Sequence, residues 1–407
     1  MKKSKVFLLG MLALSFVFAV CNRAGASVLF SPEEDFHFRI IDGGSAVEIT
    51  RFVGESTEVR IPPRIQNLPV TSIGSFAFTR LNYWICVDTY TGYFIEWDLR
   101  MSYQEHVFEK LRESFGKVSA VTIPDSVTHI GEGAFAFNRL AGFTIPNGVI
   151  YIGNNAFYGN QLAGIIIPNS VIYIGSGAFF FNQLTSVTIP GSITRIGSET
   201  FRDNQLASVT IPNSVSHIGR GAFRSNQLAS VIIPNSVTYI GMTAFLSNQL
   251  TSLIIPSSIT RIDYWAFSDN RLTSVTIPNS ITCIGGWAFS DNQLTSITIP
   301  NSVIYIGMSA FLRNQLAGVT IPDSVTRIDY WAFSDNRLIS VTIPGSVTSI
   351  GSGTFSGNQL VSITIGANLD LLYGHEHPFD NNFHLFYIKN GRRAGTYTWD
   401  GSTWSFH

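Results

Sequence analysis

Asparagine recurs every 22 residues, at Asn138, Asn160, Asn182, Asn204, Asn226, Asn248, Asn270, Asn292, Asn314, Asn336 and Asn358, without a slip. A fixed period of this length restricts the chain to a repeat solenoid, because one coil cannot bury its own apolar face and only stacking on its neighbours supplies a core. Each coil reads close to L-x-S-V-T-I-P-N-S-V-T-x-I-G-x-x-A-F-x-x-N-Q, as in Leu184 to Gln205. Leu184, Val187 and Ile189 follow L-x-x-L-x-L spacing, and the last two alternate as in a short strand, which predicts parallel strands stacked in a ladder with little helix. Pro190 has no N–H to give to that ladder and ends the strand. Ile193 and Ile196 return to the core, and Gly197 is expected in a turn that needs positive φ.

Two further rows complete the interior. Phe135, Phe157, Phe179, Phe201, Phe223, Phe245, Phe267, Phe289, Phe311, Phe333 and Phe355 are expected to stack as an aromatic spine. A buried amide is costly unless bonded, so the asparagines are expected to bond backbone groups of neighbouring coils, a structural duty. At ~4.8 Å per coil, eleven coils and a closing strand at Leu360–Ile365 extend roughly 55 Å.

Only 13% of residues are charged and the net charge is -1, against about 25% charged in an ordinary domain. With no run of like charge, nothing draws the chain to nucleic acid or anionic lipid. Lys2, Lys3 and Lys5, the apolar run Val6–Val20 and Ala24-Gly25-Ala26 read as a signal peptide over residues 1–26, cleaved before Ser27. Lipid attachment at Cys21 is the competing reading. The apolar run is shorter than the about 20 residues of a membrane span, so no transmembrane span is expected and the protein is placed outside the cell or on its surface. Cys86 and Cys283 stand about eight coils of ~4.8 Å apart, too far for a bond that needs Cα atoms within about 7 Å.

The remaining organisation follows from where the period fails. Residues 27–58 carry alternating Phe36, Phe38 and Ile40 and an Asp42-Gly43 turn, and read as an N-terminal β cap. Residues 59–80 form a divergent first repeat, and 81–117 an insertion with a short helix opened by the capping box Ser102 to Glu105. The solenoid proper spans 118–365. Residues 366–407 read as a C-terminal cap module in β structure, with Phe383–Ile388 as one strand and Tyr397–Trp399 in another.

The motif I-P-x-S-V-T-x-I-G-x-x-A-F, repeated over most of the chain, resembles the leucine-rich repeats of the BspA type, found in surface proteins of oral bacteria and treponemes. The array carries asparagine where those repeats usually carry cysteine. The stretch from Val59 to Phe78 resembles the degenerate opening repeat of such proteins, and Asn390 to Trp399 resembles a treponemal terminal module. The resemblance implies a leucine-rich-repeat fold and partners among host matrix proteins or microbial surface components.

No catalytic motif with a specific spacing occurs: no Walker loop, no G-x-G-x-x-G, no H-E-x-x-H and no G-x-S-x-G. The chain is read as a non-enzyme that needs no cofactor. His375, Glu376, His377 and His384 lack a metal-ligand spacing and read as surface residues near a turn, and Asp263, Asp269, Asp329 and Asp335 recur because the coils were copied.

Stacking converts each outer position into a row. Ser186, Ser208, Ser230, Ser252, Ser274 and Ser296, beside Thr188, Thr210, Thr276, Thr298, Thr320 and Thr342, predict a flat hydroxyl face, open between simple solvation and contact. A second row precedes Ile-Gly: His129, Tyr151, Tyr173, Arg195, His217, Tyr239, Arg261, Cys283, Tyr305, Arg327 and Ser349, with Trp265, Trp287 and Trp331 close by. Tyrosine, tryptophan and arginine are the residues enriched where proteins bind tightly. Thr260–Leu272 recurs identically as Thr326–Leu338, so block duplication explains the 66-residue superperiod but not the choice of residues. The expected function is adhesion to matrix protein or other microbes through ten residues of these rows: Tyr151, Tyr173, Arg195, Tyr239, Arg261, Trp265, Trp287, Tyr305, Arg327 and Trp331. Glycan binding and a ligand-free spacer role are the alternatives.

Overall fold

The computed structural model describes residues 29–79, 116–367, 369–371 and 377–407. The expected signal peptide, Cys21, Cys86 and the helix of the insertion lie outside the described residues.

The coil that begins at Leu184 shows how the repeat folds. Ser186–Thr188 pairs in parallel with Gly164–Ile166 of the coil before it, with Val187 buried and Ser186 and Thr188 outward. The chain then turns at Pro190, whose carbonyl accepts from the Ile193 amide at 3.1 Å. A second strand follows, Arg195–Ile196, paired in parallel with His217–Ile218. The solenoid therefore carries two ladders where L-x-x-L-x-L spacing announced one. Two residues are too few to show alternation, so the second strand left no pattern in the sequence.

The third side of the coil is also tied to its neighbour. The amides of Glu199, Phe201 and Asp203 donate to the carbonyls of Arg220, Ala222 and Arg224, at 2.7, 2.9 and 2.9 Å. This alternation requires left-handed backbone at Glu199 and Asp203, with φ of 57° and 50°. Gly197 is not the residue with positive φ, contrary to expectation. Its row is glycine because coils approach closely there: a Cβ at Gly219 would stand 2.6 Å from the Ser198 nitrogen, and one at Gly175 would stand 2.4 Å from the Asn154 nitrogen.

Inside, the phenylalanine rings stack at 5.3 to 5.8 Å from Phe135 to Phe355. The asparagines form the expected ladder. Asn226 donates through Nδ2 to the carbonyls of Phe201, Phe223 and Arg224, and its Oδ1 accepts from the Leu206 amide at 3.0 Å. One side chain thus bonds two coils and closes its own turn.

Both ends continue the interior. Phe36–Ile41 and Ala46–Phe52 form an antiparallel hairpin, whose second strand lies parallel to Leu68–Ile73, and Phe52 extends the ring stack to Phe78. At the other end Ser362–Ile365 pairs antiparallel with Gly395–Trp399, itself paired with Trp404–Phe406. The stretch expected as a strand from Phe383 is instead an α-helix, Phe383–Lys389. Phe383, His384 and Tyr387 are its buried residues, a helical spacing that seats one face on Tyr397 and Trp404. The C-terminal module is therefore mixed rather than all β.

Candidate binding face

The second ladder holds the tyrosine–arginine row. Parallel pairing sets His129, Tyr151 and Tyr173 side by side, then Arg195, His217 and Tyr239, then Arg261, Cys283, Tyr305, Arg327 and Ser349. The pairing is interrupted between Tyr173 and Arg195 and between Tyr239 and Arg261, so the row runs in three consecutive segments. The isoleucine after each row residue is buried, and strand alternation turns the row residue outward. Tyr173 and Tyr239 are 43% and 40% exposed. Arg195, Arg261 and Arg327 are exposed, while Tyr151 and Tyr305 are half-buried.

Two coils depart from the glycine rule, and their departure organises the row. Asp263 and Asp329 occupy the position of Gly197. The Tyr305 hydroxyl donates to Asp329 Oδ2 at 2.7 Å, and Arg327 Nη2 donates to Asp329 Oδ1 at 3.4 Å. The guanidinium carbon of Arg327 lies 5.8 Å from the Tyr305 ring centre. Three coils earlier, Arg261 Nε lies 2.9 Å from Asp263 Oδ1, and Asp263 is near enough to the Tyr239 phenol to raise its pKa. Each carboxylate thus ties the tyrosine of the preceding coil to the arginine of its own. At Arg195 the equivalent position is Gly197, so that coil lacks the carboxylate.

These contacts mark the phenols. Burial first, then the bond to Asp329, pushes the Tyr305 hydroxyl well above its ordinary range. Tyr239 is raised by burial and by Asp263, and Tyr151 by burial and then by Tyr173 and Glu132. Burial also raises the half-buried thiol of Cys283. All three phenols are neutral hydrogen-bonding groups at physiological pH.

The other aromatics pair among themselves. Trp265 and Trp287 stack at 4.6 Å and 10°, and Tyr151 and Tyr173 at 4.8 Å and 4°. Trp265, Trp287 and Trp331 all have left-handed backbone, with φ of 54°, 55° and 53°. Trp331 stands 6.0 Å from Tyr330, and Trp265 5.9 Å from Tyr264. Among the described residues no group of three or more His, Cys, Asp or Glu could hold a metal ion, and no helix is long and apolar enough to cross a membrane.

A family model for the BspA type leucine rich repeat region matches residues 106–229, 151–273, 216–339 and 266–385. The chain belongs to the BspA-type leucine-rich repeat family. No functionally curated protein matches it. Among solved structures, this BspA-type array is similar to a leucine rich cell surface protein from Faecalibacterium prausnitzii, at 23% identity over 86% of this chain and 99% of the other, with a TM-score of 0.50. It is also similar to a leucine-rich repeat protein from Bacteroides ovatus, at 22% identity over 82% of this chain and 90% of the other, with a TM-score of 0.56. These likenesses concern the fold.

Against the ten residues expected from sequence, the structure of the BspA-type array joins Tyr239 to Arg261, Tyr305 to Arg327, Tyr151 to Tyr173 and Trp265 to Trp287. Arg195 stays apart from these clusters. Sequence reasoning missed Asp263 and Asp329, which it set aside as copied residues, and Tyr264 and Tyr330 beside the tryptophans. The available signal was the run R-I-D-Y-W at Arg261 and Arg327, which breaks the Ile-Gly rule in two coils only.

Proposed function

We propose that the chain is a surface or secreted adhesin that holds a host matrix protein or another microbe through the second-ladder row. The carrying observation is the doubled Tyr–Asp–Arg arrangement, Tyr239–Asp263–Arg261 and Tyr305–Asp329–Arg327, set three coils apart on one scaffold. Side chains already held by a carboxylate lose less rotamer freedom on binding, and linked copies of one weak contact gain avidity. The leader-like residues Lys2 to Ala26 support export. A macromolecular protein surface is favoured over a glycan because Trp265 and Trp287, like Tyr151 and Tyr173, each spend one ring face on the other instead of offering it to a sugar.

The test is binding of the full chain to immobilised matrix proteins and to whole bacteria, repeated with Tyr239, Arg261, Tyr305 and Arg327 all replaced by serine. The expected result is at least about a tenfold loss of avidity with the fold retained. Equal binding by the two proteins would remove the row from the function.

A further inference from the structure

The first ladder presents a second face with a different chemistry. In each of eleven coils, from Ser119, Ala120 and Thr122 to Ile339, Ser340 and Thr342, three positions are exposed, and every one is Ala, Gly, Ser, Thr or Ile. Within these eleven coils the columns hold no charged side chain; Glu58 and Arg60 continue them only beyond the first coil, in register with Ala120 and Thr122. The isoleucines stand far into solvent: Ile166, Ile232 and Ile254 are 81%, 85% and 73% exposed.

The serines of the central column also differ from the hydroxyls around them; in the column beside it Ser119, Thr185 and Thr273 donate to carbonyls of the preceding coil. On the second-ladder side Thr238, Thr282 and Thr326 likewise donate to carbonyls of the preceding coil, and Ser214, Ser280 and Ser324 do the same beside the proline turns. On the first-ladder face, Ser208, Ser230, Ser252 and Ser274 make no side-chain hydrogen bond to the described chain. Their donors and acceptors are left for something outside.

From these features we infer that two copies of the chain pack through this face, related by a two-fold axis near Ser230 in the sixth of the eleven coils. A face without charge does not repel itself, and its small side chains let two sheets approach closely. The ridges repeat at the coil rise, and a second copy carries the same rise by construction, so ridges of one fall between ridges of the other along the whole length. Eleven coils at ~4.8 Å by a width of about 12 Å give on the order of 600 Å² per partner, which reaches the lower end of what stable interfaces bury. An isologous contact of this kind closes as a dimer. It leaves the second-ladder rows of both copies outward, and it stands independently of what those rows bind.

The experiment is sedimentation equilibrium of the full chain over about 1 to 100 µM, beside the variant Ser208→Asp, Ser230→Asp and Ser252→Asp. The expected result is a dimer for the unaltered chain and at least a tenfold weaker association for the variant. A monomer throughout, or a dimer that the three aspartates leave undiminished, would overturn the inference. Cross-linking gives a second reading that does not depend on how that variant folds, in a background with Cys21, Cys86 and Cys283 replaced by serine. There Ser230→Cys should oxidise to a covalent dimer, whereas Ser119→Cys, which faces the far end of its partner, should not. Failure of Ser230→Cys to link would overturn the two-fold arrangement.

Discussion

The asparagine row and the tyrosine–arginine row share one period, yet only the first is identical in every coil. Each interior asparagine donates to three carbonyls, and from Asn160 to Asn358 each also accepts one amide across the coil boundary, as Asn226 does; no other side chain supplies that set in that space. Outside, the position filled by Tyr239 in one coil holds Arg261 in the next and Cys283 in the one after. Packing enforces repetition where a side chain completes the backbone. Where it only covers the backbone, residue identity follows block duplication and whatever the face contacts.

The largest effect should fall on the interior row. Asn226→Ala orphans the buried Leu206 amide, while the Phe201 and Phe223 carbonyls keep the donors of Asn204 and Asn248, and should cost about 3 kcal/mol in a denaturant titration. A loss below about 1 kcal/mol would mean that water or a relaxed turn replaces the ladder.

Glycine substitution sharpens the same contrast. Gly219→Ala drives a Cβ to within 2.7 Å of the Gly197 carbonyl carbon, whereas Gly142 has nothing within 4 Å. The first should destabilise by about 2 kcal/mol, whereas the second, with no clash and no positive φ, should be neutral or stabilising by up to about 1 kcal/mol. Equal changes at the two sites would mean that the close approach of coils at Gly219 carries no cost of its own.

Tyr305→Phe removes one outer hydrogen bond and should cost about 1 kcal/mol. Because the folded phenol titrates above its unfolded value, that contribution is fully present below about pH 10 and is lost as pH rises through the folded value. Stability of the unaltered chain minus that of the variant should be flat to about pH 10 and shrink above it, with Tyr305 absent from the phenolate absorbance that appears near pH 10. The smallest effect belongs to Arg195→Ser, an exposed residue outside either carboxylate cluster, which should change stability by no more than about 0.5 kcal/mol.

Much of this architecture was written in the period. The phenylalanine spine and the asparagine ladder follow from one rule, that a residue repeated without exception inside a solenoid must touch its own copies. What stayed hidden has local physical reasons. The second strand is two residues long and shows no alternation. Gly197 is small because the neighbouring coil is close, a cause that sequence cannot separate from positive φ. The residues from Phe383 fit a strand by alternation and a helix by their buried spacing, and the packing of Phe383 and Tyr387 on Tyr397 decided for the helix. Of the candidate site, the row was legible, but the carboxylates that bind it together were not, because Asp263 and Asp329 reach across a coil boundary to Tyr239 and Tyr305.

Stacked 22-residue coils have interchangeable junctions, and excision tests that directly. Thr260–Leu272 and Thr326–Leu338 are identical, so deleting residues 260–325 joins Ile259 to Thr326 across a junction the chain already contains and removes three whole coils. The shortened chain should keep the far-ultraviolet spectrum of stacked strands and unfold in one transition, while deletion of residues 260–292, one and a half coils, should leave an unfolded or aggregated product. Failure of the three-coil deletion to fold, or equal folding by both, would contradict the stacked 22-residue coil as the unit of this structure.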